Sequence, residues 1–166
     1  MGEYALGQAV PRAEDPRLLT GAGRYVDDFN RPNQAIGYVL RSIHAHALIR
    51  SMNTDAAKAA PGVCAVLTGE DYVASGLGDV PCAGGRKLRD GSPMYRPRHP
   101  ALVVERVRRV GDYVAFVVAD TLAQAKDAAE LIEVDYDIQP SITDTAAALE
   151  PGALRVWDDC PDNICF

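Results

Sequence analysis

Patterns that mark secreted or membrane proteins are missing from this sequence. No apolar run approaches the roughly 20 residues of a membrane-spanning helix. The first residues, Met1-Gly-Glu-Tyr-Ala5, lack the basic and apolar regions of a signal peptide, and Leu6 stands where a myristoylation signal has Ser or Thr. We therefore expect a cytoplasmic protein.

Cysteine is scarce and unevenly placed. The four thiols include no Cys-x-x-Cys pair of the kind that binds zinc or forms a redox dithiol. Cys64 lies in the apolar run Val63–Leu67, where a buried and unreactive thiol is expected. We expect all four cysteines to be reduced; they are Cys64, Cys82, Cys160 and Cys165.

An excess of positive charge is also absent. There are 17 Lys and Arg residues against 23 Asp and Glu residues, for a formal net charge of −6. This balance disfavours a broad phosphate-binding surface, so nucleic acid is not an expected partner. Basic residues are nevertheless concentrated in and just after a long Gly- and Pro-rich loop between Gly76 and Pro100. Two interpretations remain open: solvated cations that pair locally, or a docking surface for an acidic partner. The cations are Arg86, Lys87, Arg89, Arg96, Arg98, Arg106, Arg108 and Arg109.

The signatures of common catalytic sites are missing as well. The sequence has no Gly-x-Ser-x-Gly elbow, phosphate loop or His-Glu-x-x-His helix. The pattern Gly21-x-Gly23 lacks the third glycine of a dinucleotide fingerprint, since Val26 occupies that position, and no predicted strand precedes it. We therefore predict no cofactor-binding residue at these glycines.

Two polar clusters raise the question of a metal site. His44 and His46 are two residues apart, which would place them on one face of a strand, but a third ligand is not evident nearby. Glu133, Asp135 and Asp137 share one face of a predicted strand, where carboxylates could bind a hard cation. A polar histidine pair at a strand end and a solvated strand face are the preferred interpretations. The residues thus predict no catalytic or metal-binding residue, and a small hydrolase with a metal at the two histidines is the weaker alternative.

The sequence does contain a strand, a helix and a second strand between residues 107 and 136. The unbroken apolar run Val114–Ala119 is typical of a strand covered on both faces. Thr121 and Gln124 fit a capping box at the start of the helix. The apolar arc of that helix is Leu122, Ala125, Ala128, Ala129 and Ile132. The following run, Ile132–Ile138, alternates and so has one wet face. Whether the two strands are parallel is left open; a parallel pair would require a right-handed crossover.

Further predicted elements surround this unit. Residues 1–34 are expected to form an extended arm, because Pro11 and Pro16 interrupt helix and sheet alike. Gly37, inside a predicted strand, marks a possible bulge or a close approach of another group. The pattern predicts an α+β domain with a mixed sheet and two main helices. The predicted strands are 34–43, 63–67, 100–104, 106–110 and 154–157, and the shorter predicted helices are 55–60, 69–75 and 143–149.

Five separated motifs resemble those of a known family. They are Pro11-Arg-x-Glu-Asp-Pro-Arg-Leu-Leu-Thr-Gly-x-Gly-Arg-Tyr-Val-Asp-Asp28, Leu40-Arg-Ser-Ile-His-Ala-His-Ala47, Pro61-Gly-Val-Cys-Ala-Val66, Arg108-Arg-Val-Gly-Asp112 and Val117-Val-Ala-Asp-Thr121. In this order the sequence resembles the N-terminal segment of the large, molybdenum-binding subunit of the xanthine dehydrogenase, aldehyde oxidase and carbon monoxide dehydrogenase family.

The resemblance implies an α/β-hammerhead domain at residues 35–150. Residues 1–34 would be an arm before it, and residues 151–166 a linker toward a molybdopterin-binding region that is absent from this sequence. Members of the family oxidise an aldehyde, a heteroaromatic compound or carbon monoxide and pass electrons to iron-sulfur centres and often FAD. The family's catalytic glutamate and cofactor contacts lie after the hammerhead domain. The resemblance therefore gives this chain no catalytic, cofactor-binding or metal residue.

The implied role is that of a structural and docking fragment, inactive alone. By resemblance, Arg12, Glu14, Asp15, Arg17 and the segment Arg41–His46 are candidate contacts with the molybdenum domains and the iron-sulfur subunit; an FAD subunit completes the expected complex. The alternative is an independent protein-binding adaptor that uses the loop between Gly76 and Pro100, or the arm, as its recognition element.

Overall fold

A computed structural model of the chain describes residues 12–165. The backbone contacts divide the chain into two compact units, with the boundary between Gln34 and Ala35. In the part of the chain that the structure describes, no helix is long and apolar enough to cross a membrane.

The first unit contains more regular structure than an extended arm. Helix α1 spans Asp15–Leu19 and a 3₁₀ turn spans Val26–Asp28. Pro16 does not interrupt α1, because it lies in the first turn, where its missing N–H has no intrahelical partner to lose. Gly21 follows α1 with a φ of 72°, and between residue 12 and Gly21 no strand precedes it. The unit leaves several large apolar side chains exposed; they are Leu19, Tyr25, Val26 and Phe29.

The second unit contains six strands and three short helices. Strands β1 to β6 span Ile36–Arg41, Ala47–Asn53, Val63–Thr68, Arg106–Val107, Tyr113–Ala119 and Glu133–Ile138. Helices α2, α3 and α4 span Asp55–Lys58, Gly69–Ala74 and Leu122–Glu130, and a 3₁₀ turn spans Ala147–Leu149. The two longest helices are α3 and α4, with 6 and 9 residues. The α+β class predicted from the sequence is confirmed.

The six strands form two three-stranded sheets in the orders β1-β5-β3 and β4-β2-β6. Every pairing is antiparallel, so the expected mixed sheet takes the form of two antiparallel sheets. Because β5 and β6 lie in different sheets, α4 does not connect a parallel pair, and the question of a right-handed crossover does not arise. Residues 100–104 and 154–157, predicted as short strands, are irregular.

The main core lies where α4 packs on the sheet centred on β5. Ala125, Ala128 and Ala129 of α4 are buried against Val117 and the small side chains beside it. Alanine on the inner face lets the helix backbone approach the sheet closely, while β5 is covered as its apolar run predicts. Leu122 was predicted to share the buried face, but it is exposed because it stands in the first turn of α4.

Two further expectations concern single residues. Cys64 is exposed, because it lies where the pairing of β3 with β5 shifts register between Val63 and Ala65, whereas Cys160 is the buried cysteine. Gly37 does mark a close approach: a Cβ there would stand 2.9 Å from Cε2 of Phe116, so the ring occupies the space that a side chain would need.

The cap of helix α4 allows a direct test. Thr121 Oγ1 accepts a hydrogen bond from the backbone N–H of Gln124 at 3.3 Å and donates to Gln124 Oε1 at 2.8 Å. The first half of the predicted capping box is thus present, and the amide side chain binds the cap hydroxyl rather than the backbone. Thr121→Ala is expected to lower the free energy of unfolding by about 1 kcal/mol, measured by urea denaturation. Thr145→Ala, at an exposed position outside any helix, is the matched control and is expected to change little.

Candidate functional site

Two of the motifs identified in the sequence meet in the second unit, and we call this contact the motif junction. It consists of residues 41–46, which link β1 to β2, and residues 108–112, which link β4 to β5. The N–H of Ser42 donates to the carbonyl of Asp112 at 2.8 Å, and the N–H of Gly111 donates to the carbonyl of Ser42 at 2.8 Å. The two connections are therefore held together through their backbones.

Asp112 organises the second half of the junction. Its side chain is 7% exposed, and Oδ2 accepts hydrogen bonds from the N–H groups of Arg108 at 2.6 Å and Arg109 at 3.2 Å. Oδ1 lies 3.0 Å from Nε of Arg109. Gly111 has a φ of 90°, in a region that L side chains rarely adopt, so the turn requires glycine. The Arg-Arg-Val-Gly-Asp sequence is thus a closed turn whose last residue satisfies the N–H groups of its first two.

The two histidines of the first half have separate partners. The His44 ring packs edge-on against Tyr136, with ring centroids 4.9 Å apart, and the backbone N–H of His44 donates to Ser42 Oγ at 3.0 Å. His46 Nδ1 lies 2.7 Å from the carbonyl oxygen of Pro140, while its Nε2 is buried without a hydrogen-bond partner. Burial raises the pKa of Tyr136, so its hydroxyl is neutral beside the histidine.

Metal-ligating side chains do not gather at either cluster. Within residues 12–165, no three His, Cys, Asp or Glu side chains stand close enough to hold a metal ion. On β6, Glu133 and Asp135 are exposed, as expected for a wet face, whereas Asp137 is only half-buried and forms an ion pair with Arg50 on β2. The alternation of β6 also fails at this end, where Ile138 is exposed.

Two aliphatic side chains and two cations are exposed at the motif junction. Ile43 is 78% exposed and Val110 is 65% exposed, one on each of the two joined connections. Arg41 and Arg109 are exposed as well. The Arg41 guanidinium lies 4.5 Å from the ring centroid of Tyr113, and its Nη1 donates to the carbonyl of Gly111 at 3.3 Å. The exposed surface of the junction therefore combines aliphatic side chains with ordered positive charge.

The charged residues predicted as contacts in the first unit form local interactions. Arg12 Nε lies 3.5 Å from Asp15 Oδ1, and the Arg12 N–H donates to Asp15 Oδ2 at 3.1 Å. Glu14 precedes helix α1, and Arg17 in its last turn is exposed. Asp15 and Arg17 thus lie in α1, and Arg12 and Glu14 lie in the turn that leads into it.

Residues 154–165 form an organised segment whose contacts were not predicted from the sequence. Asp158 Oδ2 lies 2.9 Å from Arg106 Nη1 and 3.7 Å from Arg108 Nη2, and the Arg108 guanidinium lies 4.3 Å from the ring centroid of Trp157. Asn163 Nδ2 donates to the carbonyl of Leu154 at 2.9 Å. The available signal was the single tryptophan followed by two aspartates, opposite in charge to the Arg-rich run before β5.

The same segment is joined to the long loop by one hydrogen bond. Tyr95 donates its hydroxyl proton to Asp159 Oδ1 at 2.7 Å. This bond raises the pKa of Tyr95 to about 12 and lowers the pKa of Asp159. On the acid side, the stabilisation is fully present above 3.8, the ordinary pKa of the Asp159 carboxyl, and is lost as the pH falls through the lowered pKa of Asp159. On the basic side, it is fully present below 10.0, the ordinary pKa of the Tyr95 hydroxyl, and is lost as the pH rises toward its raised pKa of about 12.

A spectroscopic titration tests the Tyr95–Asp159 bond. Of the seven tyrosines, Tyr95 is expected to ionise late, with a pKa of about 12, in a titration of tyrosinate absorbance. In Asp159→Asn, the late-ionising phase is expected to move toward the ordinary pKa of 10.0. Asp158→Asn is the control, because that carboxylate contacts arginines rather than Tyr95. An unchanged titration in Asp159→Asn would show that the bond is not formed.

A family model covers most of the chain that contains these features. The model of the aldehyde oxidase and xanthine dehydrogenase a/b hammerhead domain matches residues 20–140. The chain belongs to this family. The motif junction and both sheets of the hammerhead domain lie within the matched residues, so the resemblance carried by the five motifs is confirmed.

Curated relatives of this hammerhead chain are large subunits of molybdenum enzymes. The chain is 40% identical over 159 residues to the carbon monoxide dehydrogenase large chain of Afipia carboxidovorans, covering 96% of this chain and 18% of the relative. It is 34% identical to the nicotine 6-hydroxylase large subunit of Paenarthrobacter nicotinovorans, covering 96% of this chain and 19% of that subunit. The chain thus spans about a fifth of the length of these relatives.

A solved structure shows the same fold. Quinoline 2-oxidoreductase from Pseudomonas putida 86 matches with a TM-score of 0.83 and 38% identity, covering 96% of this chain and 20% of that one. This agreement extends over both sheets and confirms the hammerhead fold predicted from the motifs.

Proposed function

We propose that this chain is the N-terminal structural and docking part of the large subunit of a molybdenum hydroxylase. The observation that carries the proposal is the match along 96% of the chain to a carbon monoxide dehydrogenase large chain of which it covers 18%. The intact subunit would oxidise an aldehyde, a heteroaromatic compound or carbon monoxide. Residues beyond the hammerhead domain would hold molybdopterin, and the chain alone would be inactive.

The described residues do not fit a molybdopterin. The pocket at His46 has a volume of about 250 Å³ with its open mouth included, which is below the size of ordinary cofactor clefts. Its polar lining residues are His46, Arg108, Ser141 and Arg155, and the others are apolar. The larger depression, between residues 148 and 164, sets Glu150 and Asp162 against one cation, Arg155. The Arg155 guanidinium already donates to the carbonyl of Cys160 at 3.1 Å. A phosphate-bearing cofactor would therefore meet more negative than positive charge there.

The proposal divides the chain into three parts. Residues 1–34 act as an arm, residues 35–150 as the hammerhead domain, and residues 151–166 lead toward the molybdopterin-binding region. The proposed partners are the rest of the large subunit, an iron-sulfur subunit and an FAD subunit, in the cytoplasm. Charged residues of the first unit and the segment Arg41–His46 would form part of these contacts. The charged residues are Arg12, Glu14, Asp15 and Arg17.

Exposed apolar side chains support a docking role. Ile43 and Val110 are exposed at the motif junction, and Leu19 and Val26 are exposed in the first unit. We assign these exposed aliphatic side chains to the proposed docking surfaces, since apolar surface exposed on one domain is commonly covered by another protein or domain. In the intact enzyme these residues would be covered.

Metal analysis of the purified chain tests the proposal. The 166-residue chain is expected to contain neither molybdenum nor iron and to turn over no aldehyde, purine or carbon monoxide. Stoichiometric molybdenum in the isolated chain would contradict it. Sequencing the gene beyond the codon for Phe166 distinguishes the large-subunit proposal from the independent adaptor. An open reading frame several times this length agrees with the large subunit. A natural stop codon would favour the adaptor.

A further inference from the structure

The loop between Gly76 and Pro100 contains a second structural feature, which we call the basic hairpin, residues 85–96. Its two legs are joined by hydrogen bonds from the N–H of Leu88 to the carbonyl of Ser92 at 2.9 Å and from the N–H of Met94 to the carbonyl of Arg86 at 3.2 Å. Gly91, with a φ of 88°, makes the turn at the tip. The loop is therefore folded at its centre.

The two ends of the loop are joined to each other at the base of the hairpin. The N–H of Val80 donates to the carbonyl of His99 at 2.8 Å, and Arg98 forms two hydrogen bonds to the Asp79 carboxylate, at 2.8 and 3.3 Å. The Tyr95 hydroxyl donates to Asp159, which lies outside the loop. Because the loop is closed at its base and its second leg is joined to Asp159, the charged side chains of the hairpin are presented by a defined scaffold.

Four cations of the hairpin are exposed, and none pairs with a carboxylate among the described residues. The only acidic residue of the hairpin, Asp90, accepts hydrogen bonds from the N–H and hydroxyl of Ser92, at 2.9 and 2.6 Å. The Arg96 Nη2 lies 3.6 Å from where a Gly85 Cβ would stand, so this guanidinium reaches across to the other leg. The exposed cations are Arg86, Lys87, Arg89 and Arg96.

The hairpin is the positive pole of an acidic chain. Four cations and one carboxylate give it a net charge of +3, whereas the whole chain has −6, so all other residues together carry −9. An isolated cationic patch on an acidic molecule attracts a partner surface of negative charge in one orientation only, because the remaining surface repels that partner.

We propose that the basic hairpin docks on an acidic surface of a protein partner. A protein fits these observations better than a nucleic acid for two reasons. A long polyphosphate would extend beyond the hairpin and meet the −9 carried elsewhere. The one aromatic residue of the hairpin, Tyr95, is half-buried beside Trp157, with ring centroids 6.5 Å apart, and so does not offer a free stacking platform. The inference does not depend on molybdenum chemistry and goes beyond the proposed function.

Binding of the 166-residue chain to a fluorescent oligo-glutamate peptide tests the inference. The peptide is expected to bind at low salt and to dissociate as the ionic strength rises. Changing all four hairpin cations to Gln is expected to weaken binding about tenfold and to flatten the salt dependence. The matched control removes four exposed cations elsewhere, with Arg24→Gln, Arg31→Gln, Lys58→Gln and Lys126→Gln, and is expected to change affinity less than about twofold.

A third variant separates charge from folding. This variant combines Arg86→Lys, Arg89→Lys and Arg96→Lys. It keeps the net charge of the hairpin and is expected to retain most of the binding. Circular dichroism checks that every variant is folded. Three results would overturn the inference: no binding of the peptide by the original chain, equal losses in the hairpin and control variants, or stronger binding of a single-stranded DNA oligonucleotide or inorganic phosphate than of the peptide.

Discussion

Asp112→Ala is expected to lower the free energy of unfolding by about 2–4 kcal/mol, because it leaves two partly buried backbone donors without their acceptor. The carboxylate accepts from the N–H groups of Arg108 and Arg109 and is 7% exposed, so water does not readily replace it. Urea unfolding followed by the fluorescence of Trp157, the single tryptophan, measures the change. Trp157 reports on this region because it packs on Arg108.

The Asp112→Asn variant separates the hydrogen bonds from the charge. Asn retains an oxygen that accepts from the two N–H groups but loses the ion pair with Arg109, whose side chain is mostly exposed. Since exposed ion pairs contribute little, Asn is expected to cost less than about 1 kcal/mol. Equal stability of the Ala variant and the original chain would show that Asp112 does not hold the turn.

Gly69→Ala is expected to destabilise the second unit by about 2–3 kcal/mol. A Cβ at Gly69 would overlap the carbonyl oxygen of Val103 and stand 2.7 Å from its carbonyl carbon, so backbone rather than a flexible side chain must move. Alanine favours a helix over glycine by only about 1 kcal/mol, and Gly69 is the first residue of α3, so this gain does not offset the overlap.

Gly78→Ala is the matched control for this effect. A Cβ at Gly78 meets nothing within 4 Å, and its φ is not in the left-handed region. The control is expected to leave the midpoint of urea unfolding almost unchanged. If Gly69→Ala were as stable as Gly78→Ala, the segment before β4 would not be packed against α3 as the structure has it.

The strand and helix at the centre of the domain could be predicted from local pattern alone. The apolar run Val114–Ala119 and the Thr121 cap each depend on neighbouring residues, and both are present in the structure. The assignment of strands to sheets could not be predicted this way. Alternation shows which face of β6 is wet, but it does not show that β6 pairs with β2 while β5 pairs with β1 and β3.

The sequence indicated which segments belong to the motif junction, but it did not indicate the contacts between them. The resemblance marked residues 40–47 and 108–112, yet the hydrogen bonds between Ser42, Gly111 and Asp112 span about 70 residues of sequence. Cys64 shows the opposite error: an apolar run indicated burial, but the pairing of the edge strand β3 with β5 shifts register at this residue, and its side chain is exposed. The segment at residues 154–165 was missed because its contacts are ion pairs and cation–π contacts, which leave no periodic signal.

The alternation of strands between the two sheets sets the order in which a growing chain can acquire structure. Along the sequence, β1, β3 and β5 belong to one sheet and β2, β4 and β6 to the other. Since β1 and β3 pair only with β5, neither has a hydrogen-bonding neighbour on the ribosome until Tyr113–Ala119 has been synthesised. Unpaired apolar strands are prone to aggregate, so the interval of translation between β3 and β5 is the most vulnerable to misassembly.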